Sequence, residues 1–161
     1  MRVVDKDEAL ELLARETQRL LPAGAACMMC ALVEQVPVSE RLVESEHGLV
    51  LLDRFASRPG HLLVVARRHV ERATELSWPR YAELQRLVWQ AVHAIERVLT
   101  PKRVFVAALG ASTPLPMSFP HYHLHVIPVY EDDERARPAN VLSWSSGIVI
   151  YDDSEARQLC R

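Results

Sequence analysis

The stretch that decides the fold is His121–Ile127, which reads HYHLHVI. Histidine alternates there with residues that favour β-structure, and this pattern predicts a strand over about Phe119–Tyr130. Because successive side chains lie on opposite faces of a strand, we expect His121, His123 and His125 to share one face. The residues between them would occupy the other face, which can be buried.

Three imidazoles on one face indicate chemistry rather than packing. Each ring has two polar nitrogens that need partners when the ring is buried. The row could hold a metal ion, because neutral imidazole is a common ligand and alternate strand positions converge. Alternatively, one imidazole is a nucleophile whose neighbours fix its tautomer and handle protons. The residue types alone leave both interpretations open.

The segments around this strand predict an α+β fold built on an antiparallel sheet of about five strands. Apolar residues at helical spacing predict an N-terminal helix over 5–21 and a longer helix over 77–99. Turn residues separate the strand-like runs from one another. The other predicted strands are Arg41–Glu44, Leu49–Asp53, His61–Ala66, Arg103–Leu109 and a short extra strand at Ser146–Tyr151.

Composition places the chain among globular proteins and limits its partners. It has 161 residues, of which 49% are hydrophobic and 25% charged, and this length can bury a substantial core. The net charge of -2 offers no basic field, so we expect no nucleic-acid partner. Apolar runs are too short for a signal peptide or a membrane span, and three cysteines do not complete a disulfide framework. We therefore expect a cytoplasmic protein that does not contact a membrane.

Three parts of the sequence resemble the histidine-triad (HIT) family. The segment Leu49–His69 carries a Pro-Gly-His run that ends at His61, and His121–Pro128 fits the alternating histidine signature of the family. Cys27–Cys30 is similar to a segment of the bacterial Hint-like members. The resemblance is to the bacterial Hint-like and Fhit-like branch and covers about residues 27–130.

The resemblance implies a single HIT-like domain over residues 1–161 that pairs as a homodimer. Its core would span about 27–130, with an N-terminal helix extension over 1–24 and a C-terminal tail with a short strand over 131–161. The family fold is an antiparallel sheet with a long helix, which agrees with the strands and helices predicted independently. We therefore expect the sheets to be paired across a dimer.

The resemblance also implies roles for four histidines. His123, the middle residue of the triad, would attack an α-phosphorus and form a nucleotidyl-histidine intermediate that water then hydrolyses. His125 would contact phosphate oxygens or the leaving group, and His121 would orient His123 from the same strand. His61 would support the triad from beneath. No cofactor is required for this chemistry.

A purine nucleotide is the substrate that the resemblance implies. Asp53 would accept hydrogen bonds from the ribose diol, although aspartate at a strand end is also a common turn residue. Ser118 matches a hydroxyl that contacts phosphate, and otherwise it is an ordinary loop serine. Four apolar residues match the base pocket of the family, although composition alone makes them core residues. They are Met28, Met29, Leu32 and Leu51.

A structural zinc site is a separate implication of the resemblance. The matching residues are Cys27, Cys30, His69 and His121. Two thiols and two imidazoles would complete a closed tetrahedral site, and buried free thiols are the alternative. A bound zinc ion would remove His121 from proton chemistry.

The loop before the triad departs from the family pattern. Pro116-Met117 stands where the family has Gly-Gln, and Ala108–Gly110 replaces an upstream Asn-Gly. Loss of the glutamine amide removes an expected donor to the phosphate or the leaving group. The leading hypothesis is an enzyme that acts on nucleoside phosphoramidates or dinucleoside polyphosphates. A catalytically weak nucleotide-binding module and an unrelated metalloenzyme with three histidine ligands are the alternatives.

Overall fold

The computed structural model describes residues 1–21, 27–110 and 118–160. The strands are β1 Arg2–Val4, β2 Arg41–Glu44, β3 Gly48–Leu52, β4 Phe55–Ala56, β5 Leu62–Ala66, β6 Arg103–Ala107, β7 His123–Val129 and β8 Ile148–Ile150. The helices are α1 Lys6–Leu20, α2 Met28–Gln35, α3 Trp78–Leu99, α4 Pro138–Leu142 and α5 Asp153–Leu159. The predicted helices over 5–21 and 77–99 are confirmed.

Two antiparallel sheets organise these elements. The central sheet has five strands in the order β2-β3-β5-β7-β6, which confirms the predicted α+β fold with a sheet of about five strands. A smaller sheet, β1-β8-β4, joins the two ends of the chain. The sequence did not predict this second sheet, because strands of two or three residues are too short to show an alternating pattern.

The long helix α3 covers one face of the central sheet. Its apolar stripe packs on Val50, Val64 and Val126, which project from three neighbouring strands. The buried residues of the stripe are Leu84, Leu87, Val88, Ala91 and Ile95. Because alternate residues of a strand share a face, the next residues along β3, β5 and β7 project to the opposite face.

The shorter helix α2 packs on that opposite face. Met29 and Val33 of the helix contact an apolar group that comes from β3 and β5. The strand residues in this group are Leu49, Leu51, Leu63 and Val65. Strand β7 contributes His123 and His125 to the same face, since they lie opposite Val65 and Leu63 in the β5–β7 register. The α2 face of the sheet therefore carries the candidate site.

The prediction that all three triad histidines share one strand is wrong for His121. Strand β7 begins at His123, whereas the sequence predicted a strand that starts near Phe119. Pro120 has no N–H to donate to a strand ladder, and the N–H of Tyr122 donates to the carbonyl of Val70 at 2.6 Å. His121 therefore lies in a bend before the strand.

The C-terminal tail contains two helices besides the predicted short strand. Strand β8 lies within the predicted segment 146–151, and α4 and α5 flank it. Residues 22–24 of the expected N-terminal extension lie outside the described residues. The Pro116-Met117 change in the loop before the triad also lies outside them.

Candidate active site

A hydrogen bond from the ring to the triad backbone fixes the tautomer of His123. Its Nδ1 lies 2.6 Å from the carbonyl oxygen of His121. A carbonyl only accepts hydrogen bonds, so the proton of the neutral ring lies on Nδ1 and the lone pair lies on Nε2. The contribution of His121 to His123 is thus made by its backbone and not by its ring.

The ring of His121 contacts other groups. Its Nε2 lies 2.7 Å from the carbonyl of Ala66, which requires the proton on Nε2 and leaves a lone pair on Nδ1. That Nδ1 lies 3.5 Å from Sγ of Cys27 and 3.4 Å from Sγ of Cys30. The imidazoles of residues 121, 123 and 125 therefore do not converge on one point, and the three-histidine metal site considered from the sequence is not formed.

The remaining triad residue, His125, contacts His61. Nε2 of His61 lies 3.0 Å from Nδ1 of His125. On the other side of the His61 ring, Nδ1 lies 3.2 Å from Oδ2 of Asp53. The structure thus brings His61 beside the triad, as predicted from the sequence, and joins it to Asp53 as well.

Burial makes the imidazoles of the site neutral. It lowers the pKa of His125 to about 3, with a contribution from neighbouring His123. Burial also lowers the pKa of His123, and it lowers that of His61 well below its usual range. A neutral imidazole has a lone pair, which a nucleophile or a proton acceptor requires.

Burial acts in the opposite direction on Asp53. It raises the pKa of this carboxyl to about 7, although the carboxyl accepts a hydrogen bond from the Phe55 N–H at 2.9 Å. The contact between Asp53 and His61 is therefore a hydrogen bond between two groups that favour their neutral forms, and not an ion pair.

A cavity of about 1060 Å³ opens over this face of the sheet. It is lined by His61, His123 and His125 on its polar side. Every residue that the sequence assigned to nucleotide binding also lines it: Asp53, Ser118, Met28, Met29, Leu32 and Leu51. A pocket with an apolar wall and a few convergent polar groups is typical of a small-molecule site.

Two features of the cavity were not expected. The hydroxyl of Ser118 donates to the Leu109 carbonyl at 2.9 Å, so its proton is already engaged within the protein. The two ends of the chain also line the cavity, through Leu13 of α1, Trp144 and Tyr151. No pattern in the sequence connects these distant segments with the triad.

The C-terminal tail holds the turn that precedes His61. Gly60 has a φ of +82°, a conformation that other residues adopt at a cost, and its N–H donates to the Tyr151 hydroxyl at 3.0 Å. The buried Arg58 lies 2.9 Å from Glu131. Arg58 stands next to the Pro-Gly-His run, which was the one available signal for it, whereas nothing in the sequence singled out Tyr151.

A second cluster, of two cysteines and two histidines, lies at the N-terminal end of α2 and outside the cavity lining. Sγ of Cys30 lies 3.4 Å from Nδ1 of His69, and Cys27 and His121 complete a group whose ligand atoms are all within 4.8 Å of one another. Sulfur and nitrogen ligands of a tetrahedral zinc ion are about 3.5 Å apart, given bonds of about 2.3 Å and 2.0 Å. The lone pair on Nδ1 of His121 faces the thiols. The four predicted residues therefore form a group that fits structural zinc.

Burial and neighbouring Cys27 raise the pKa of the Cys30 thiol to about 12. A bound cation reverses this effect, because a coordinated thiol loses its proton. Asp53, His61 and His125 also lie within 4.8 Å of one another. Their contacts have the lengths of hydrogen bonds between ring nitrogens and a carboxyl group, which accounts for this second grouping without a metal ion.

Comparison with known proteins agrees with this geometry. The family model described as the HIT domain matches residues 34–132. The chain belongs to the HIT family. An uncharacterized HIT-like protein of Mycoplasma genitalium is 29% identical over 110 residues, which is 66% of this chain and 75% of that protein.

Solved structures of HIT proteins share the fold. A Zn-bound histidine triad family protein from Mycobacterium smegmatis has a TM-score of 0.62 at 22% identity, covering 84% of this chain and 91% of that one. A hypothetical histidine triad nucleotide-binding protein from Sulfolobus tokodaii also has a TM-score of 0.62, at 20% identity, covering 83% and 87%. HIT membership supports nucleotide binding or nucleotide hydrolysis in general. Among the described residues, no helix has both the length and the apolar character needed to cross a membrane.

Proposed function

We propose that this HIT protein is a nucleotide hydrolase or nucleotidyl transferase that reacts at the α-phosphate through a covalent intermediate on His123. The observation that carries the proposal is the 2.6 Å contact between Nδ1 of His123 and the His121 carbonyl. It leaves an unprotonated Nε2 on a ring that lines a large cavity. The substrates are purine nucleoside phosphoramidates or dinucleoside polyphosphates.

The reaction proceeds in two displacements at phosphorus. Nε2 of His123 forms a bond to the α-phosphorus while the bond to the leaving group breaks, and the leaving group takes a proton from His125. Water or another acceptor then attacks phosphorus, gives its proton back to His125 and releases His123. The bonded imidazole is cationic, and the His121 carbonyl stabilises it by accepting its Nδ1–H.

The cavity wall supplies the contacts that hold the nucleotide. Asp53 accepts hydrogen bonds from the ribose hydroxyls, and Ser118 contacts phosphate after its hydroxyl turns from the Leu109 carbonyl. The apolar wall formed by Met28, Met29, Leu32 and Leu51 packs against the base. These four side chains and Asp53 line the same cavity, which supports binding of base and ribose side by side.

Zinc has a structural role in this proposal. The M. smegmatis protein is described as Zn-bound, and the cluster of Cys27, Cys30, His69 and His121 has the donor types and spacing for the same ion. Zinc there would join α2 to the bend before β7 and fix the His121 carbonyl that orients His123. The protein would act as a homodimer in the cytoplasm, where a reducing environment keeps the free thiols available.

A catalytically weak nucleotide-binding module is the second candidate function. One observation favours it, because the Ser118 hydroxyl is engaged with Leu109. The replacement of the family's Gly-Gln by Pro116-Met117 removes a further donor.

A covalent trap distinguishes the two functions. Purified protein is mixed with a panel of purine nucleoside phosphoramidates and dinucleoside polyphosphates, quenched at alkaline pH, and analysed as intact protein by mass spectrometry. We expect one nucleoside monophosphate per chain, located on the peptide that contains His123. Nucleotide binding without any adduct and without product would support the binding module instead.

A further inference from the structure

The cavity lining is rich in arginine, although the chain as a whole has a net charge of -2. The proposed contacts with base, ribose and α-phosphate use none of these arginines. The acidic residues of the lining include Asp53, which favours its neutral form. Among the described residues, the lining arginines are Arg2, Arg15, Arg19, Arg54 and Arg157, and the other lining acids are Glu16, Glu40 and Asp153.

Three of the arginines, Arg19, Arg54 and Arg157, gather at one place. A hydrogen bond from Arg54 lowers the pKa of Asp153, and the charges of Arg157 and Arg19 add to this effect. Because charge effects between exposed groups are screened beyond about 10 Å at 0.1 M salt, the three guanidiniums lie near that one carboxylate. Arg19 comes from α1, Arg54 from the segment between β3 and β4, and Arg157 from α5. We call these three residues the arginine group.

Two members of the arginine group lie outside the part of the chain that matches the HIT model. The match covers residues 34–132, whereas α1 precedes it and α5 follows it. Leu20 of α1 packs with Met28 of the apolar wall, and Ala156 of α5 packs with Ala56 of β4. The two helices are therefore fixed against the domain, and they add the arginine group to its cavity.

The arginine group lies on the ribose side of the cavity. Arg54 directly follows Asp53, so their Cα atoms are about 3.8 Å apart, and both side chains line the cavity. Nη2 of Arg54 contacts the Tyr151 carbonyl and the Asp153 carboxylate, neither of which belongs to the triad. When the α-phosphate faces His123 and the ribose faces Asp53, a group attached to a ribose hydroxyl extends toward the arginine group.

The guanidiniums of the group have N–H donors to offer to an anion. Within the described residues, the hydrogen bonds of Arg54 all involve Nη2, which leaves the N–H groups of Nε and Nη1. Nη1 lies 3.9 Å from a Glu40 carboxylate oxygen, which is too far for a hydrogen bond. Arg19 pairs with Glu16 at the surface of α1, and such exposed pairs contribute little to stability. A phosphate dianion can therefore bind here without breaking a strong contact.

We propose that Arg19, Arg54 and Arg157 bind a second phosphate group on the ribose, so that the substrate class is purine nucleotides phosphorylated at the 2′ or 3′ hydroxyl as well as at the 5′ position. The inference rests on the proposed function, in which Asp53 contacts the ribose and His123 attacks the α-phosphorus. The second ribose hydroxyl remains free to contact Asp53. A carboxyl that favours its neutral form also repels the added phosphate less than an ionised one would.

Binding of four adenine nucleotides to the wild-type protein tests this subsite. The reference is 5′-AMP. Adenosine 2′,5′-bisphosphate and adenosine 3′,5′-bisphosphate add a phosphate to the ribose, whereas α,β-methylene-ADP adds one at the 5′ end through a P–C bond that is not displaced. Calorimetry at low ionic strength measures each dissociation constant. We expect one bisphosphate to bind about 10- to 100-fold more tightly than 5′-AMP, the effect of one or two hydrogen bonds between charged groups.

The double variant Arg19→Gln, Arg157→Gln tests whether the arginine group gives this preference. It removes two exposed charges and keeps Arg54, whose side chain is only 33% exposed. We expect the preference for the bisphosphate over 5′-AMP to fall by about 5- to 20-fold, while the affinity for 5′-AMP changes by less than about twofold. The affinity for α,β-methylene-ADP should also change by less than about twofold.

The double variant Arg86→Gln, Arg97→Gln is the matched control on α3. Arg86 pairs with the glutamate three residues before it, as Arg19 does on α1. Arg97 lies in the last turn of α3, as Arg157 lies in the last turn of α5. The control removes the same net charge outside the cavity lining and should retain the full preference.

The wild-type comparison decides the proposal even when a variant does not fold. Equal affinities for 5′-AMP and both bisphosphates would overturn the subsite. A loss of α,β-methylene-ADP binding as large as the loss of bisphosphate binding would also overturn it, because the arginine group would then bind the 5′ phosphate chain. An equal loss in the control variant would show an effect of net charge only and would likewise contradict the subsite.

The covalent trap separates these results from a failure of the proposed function. If a nucleotidyl adduct forms on the wild-type protein and the bisphosphate preference is absent, only the subsite is wrong. If the preference is present and no adduct forms with any substrate, the subsite stands and the proposed catalysis is wrong. Failure of all four nucleotides to bind would contradict both.

Discussion

The backbone carbonyl of His121 lies 2.6 Å from Nδ1 of His123, while the ring of His121 faces Cys27 and Cys30. One residue thus contacts both the candidate nucleophile and the candidate zinc site, through different atoms. A zinc ion bound by the ring would restrain the peptide that orients His123. This relationship connects the two sites mechanically without bringing a metal ion into contact with the substrate.

Replacement of His123 by Asn tests covalent catalysis. Asparagine can donate to the His121 carbonyl but cannot form the phosphorus–nitrogen bond, so His123→Asn should fold and bind nucleotide yet lose several orders of magnitude in turnover. His125→Asn should lose about 10²–10⁴-fold, the range for acid–base assistance, and His61→Asn less. The measurements are the steady-state rate and the mass of the quenched protein, in which the His123→Asn variant should have no adduct. Near-normal turnover by that variant would show that the nucleophile lies elsewhere.

Replacement of Asp53 by Asn tests ribose binding apart from catalysis. The comparison is made in the His123→Asn background, where no turnover occurs and proton transfer to a leaving group has no effect. Loss of the hydrogen bonds from the ribose hydroxyls should weaken binding of a purine ribonucleotide by roughly 1–3 kcal/mol. Calorimetry with the matching 2′-deoxynucleotide is the control and should show a smaller loss. Equal losses with both sugars would contradict contact with the diol.

Much of the fold could be predicted because it rests on local periodicity. Strands β3 and β5 are short apolar runs bounded by turn residues, and β7 alternates clearly enough to give the face that its histidines occupy. The same alternation correctly placed His123 and His125 on one face and their apolar neighbours on the other. Helix α3 was equally clear, since its buried residues recur at helical spacing between Leu84 and Ile95.

The parts that could not be predicted depend on long-range contacts. His121 leaves the strand because Pro120 interrupts the hydrogen-bond ladder, although the histidine spacing continues through that point. The hydrogen bond from Gly60 to Tyr151 and the Arg58–Glu131 ion pair join segments more than seventy residues apart. Such contacts produce no pattern within either segment, so the role of the C-terminal tail in holding the His61 turn is visible only in the fold.

Oligomeric state is a prediction that rests on the family. Trp78 and Trp89 lie three turns apart on α3 and are 75% and 61% exposed, which is unusual for large aromatic side chains on a free surface. A homodimer would explain such exposure. Sedimentation at micromolar concentration should give about twice the mass of one chain. A monomer at that concentration, in protein that also shows full activity, would contradict the prediction.

The raised pKa of Asp53 predicts how its replacement changes the pH dependence of stability. The folded protein holds this proton up to about pH 7, whereas the unfolded chain releases it near pH 4. The stabilisation is therefore complete below about pH 4 and is lost as the pH rises through about 7. Asp53→Asn should become more stable relative to wild type by about 1–4 kcal/mol between these limits.

Urea unfolding at about pH 5 and about pH 8 measures this difference, with Asp7→Asn as the control for replacement of an exposed carboxylate. Titration of groups that do not contact residue 53 changes the stability of wild type and variant equally, so it cancels in the comparison. A stability difference that does not change with pH would mean that Asp53 is ionised in the folded protein.

Removal of zinc should destabilise the bend that orients His123. Protein purified without a metal-affinity tag should contain close to one zinc ion per chain by elemental analysis. His69 is exposed and lies outside the cavity lining, so His69→Asn removes one ligand without touching the nucleotide pocket. We expect this variant to lose the ion, to melt at a lower temperature, and to turn over more slowly because the His121 carbonyl is no longer held.

His93→Asn is the matched control, an exposed histidine on α3 that should retain the ion. Wild-type protein that contains no zinc and still melts cooperatively would show that the cluster is a set of packed thiols and imidazoles. A slower His69→Asn variant whose melting temperature and zinc content match wild type would instead indicate a direct role for His69 in the reaction.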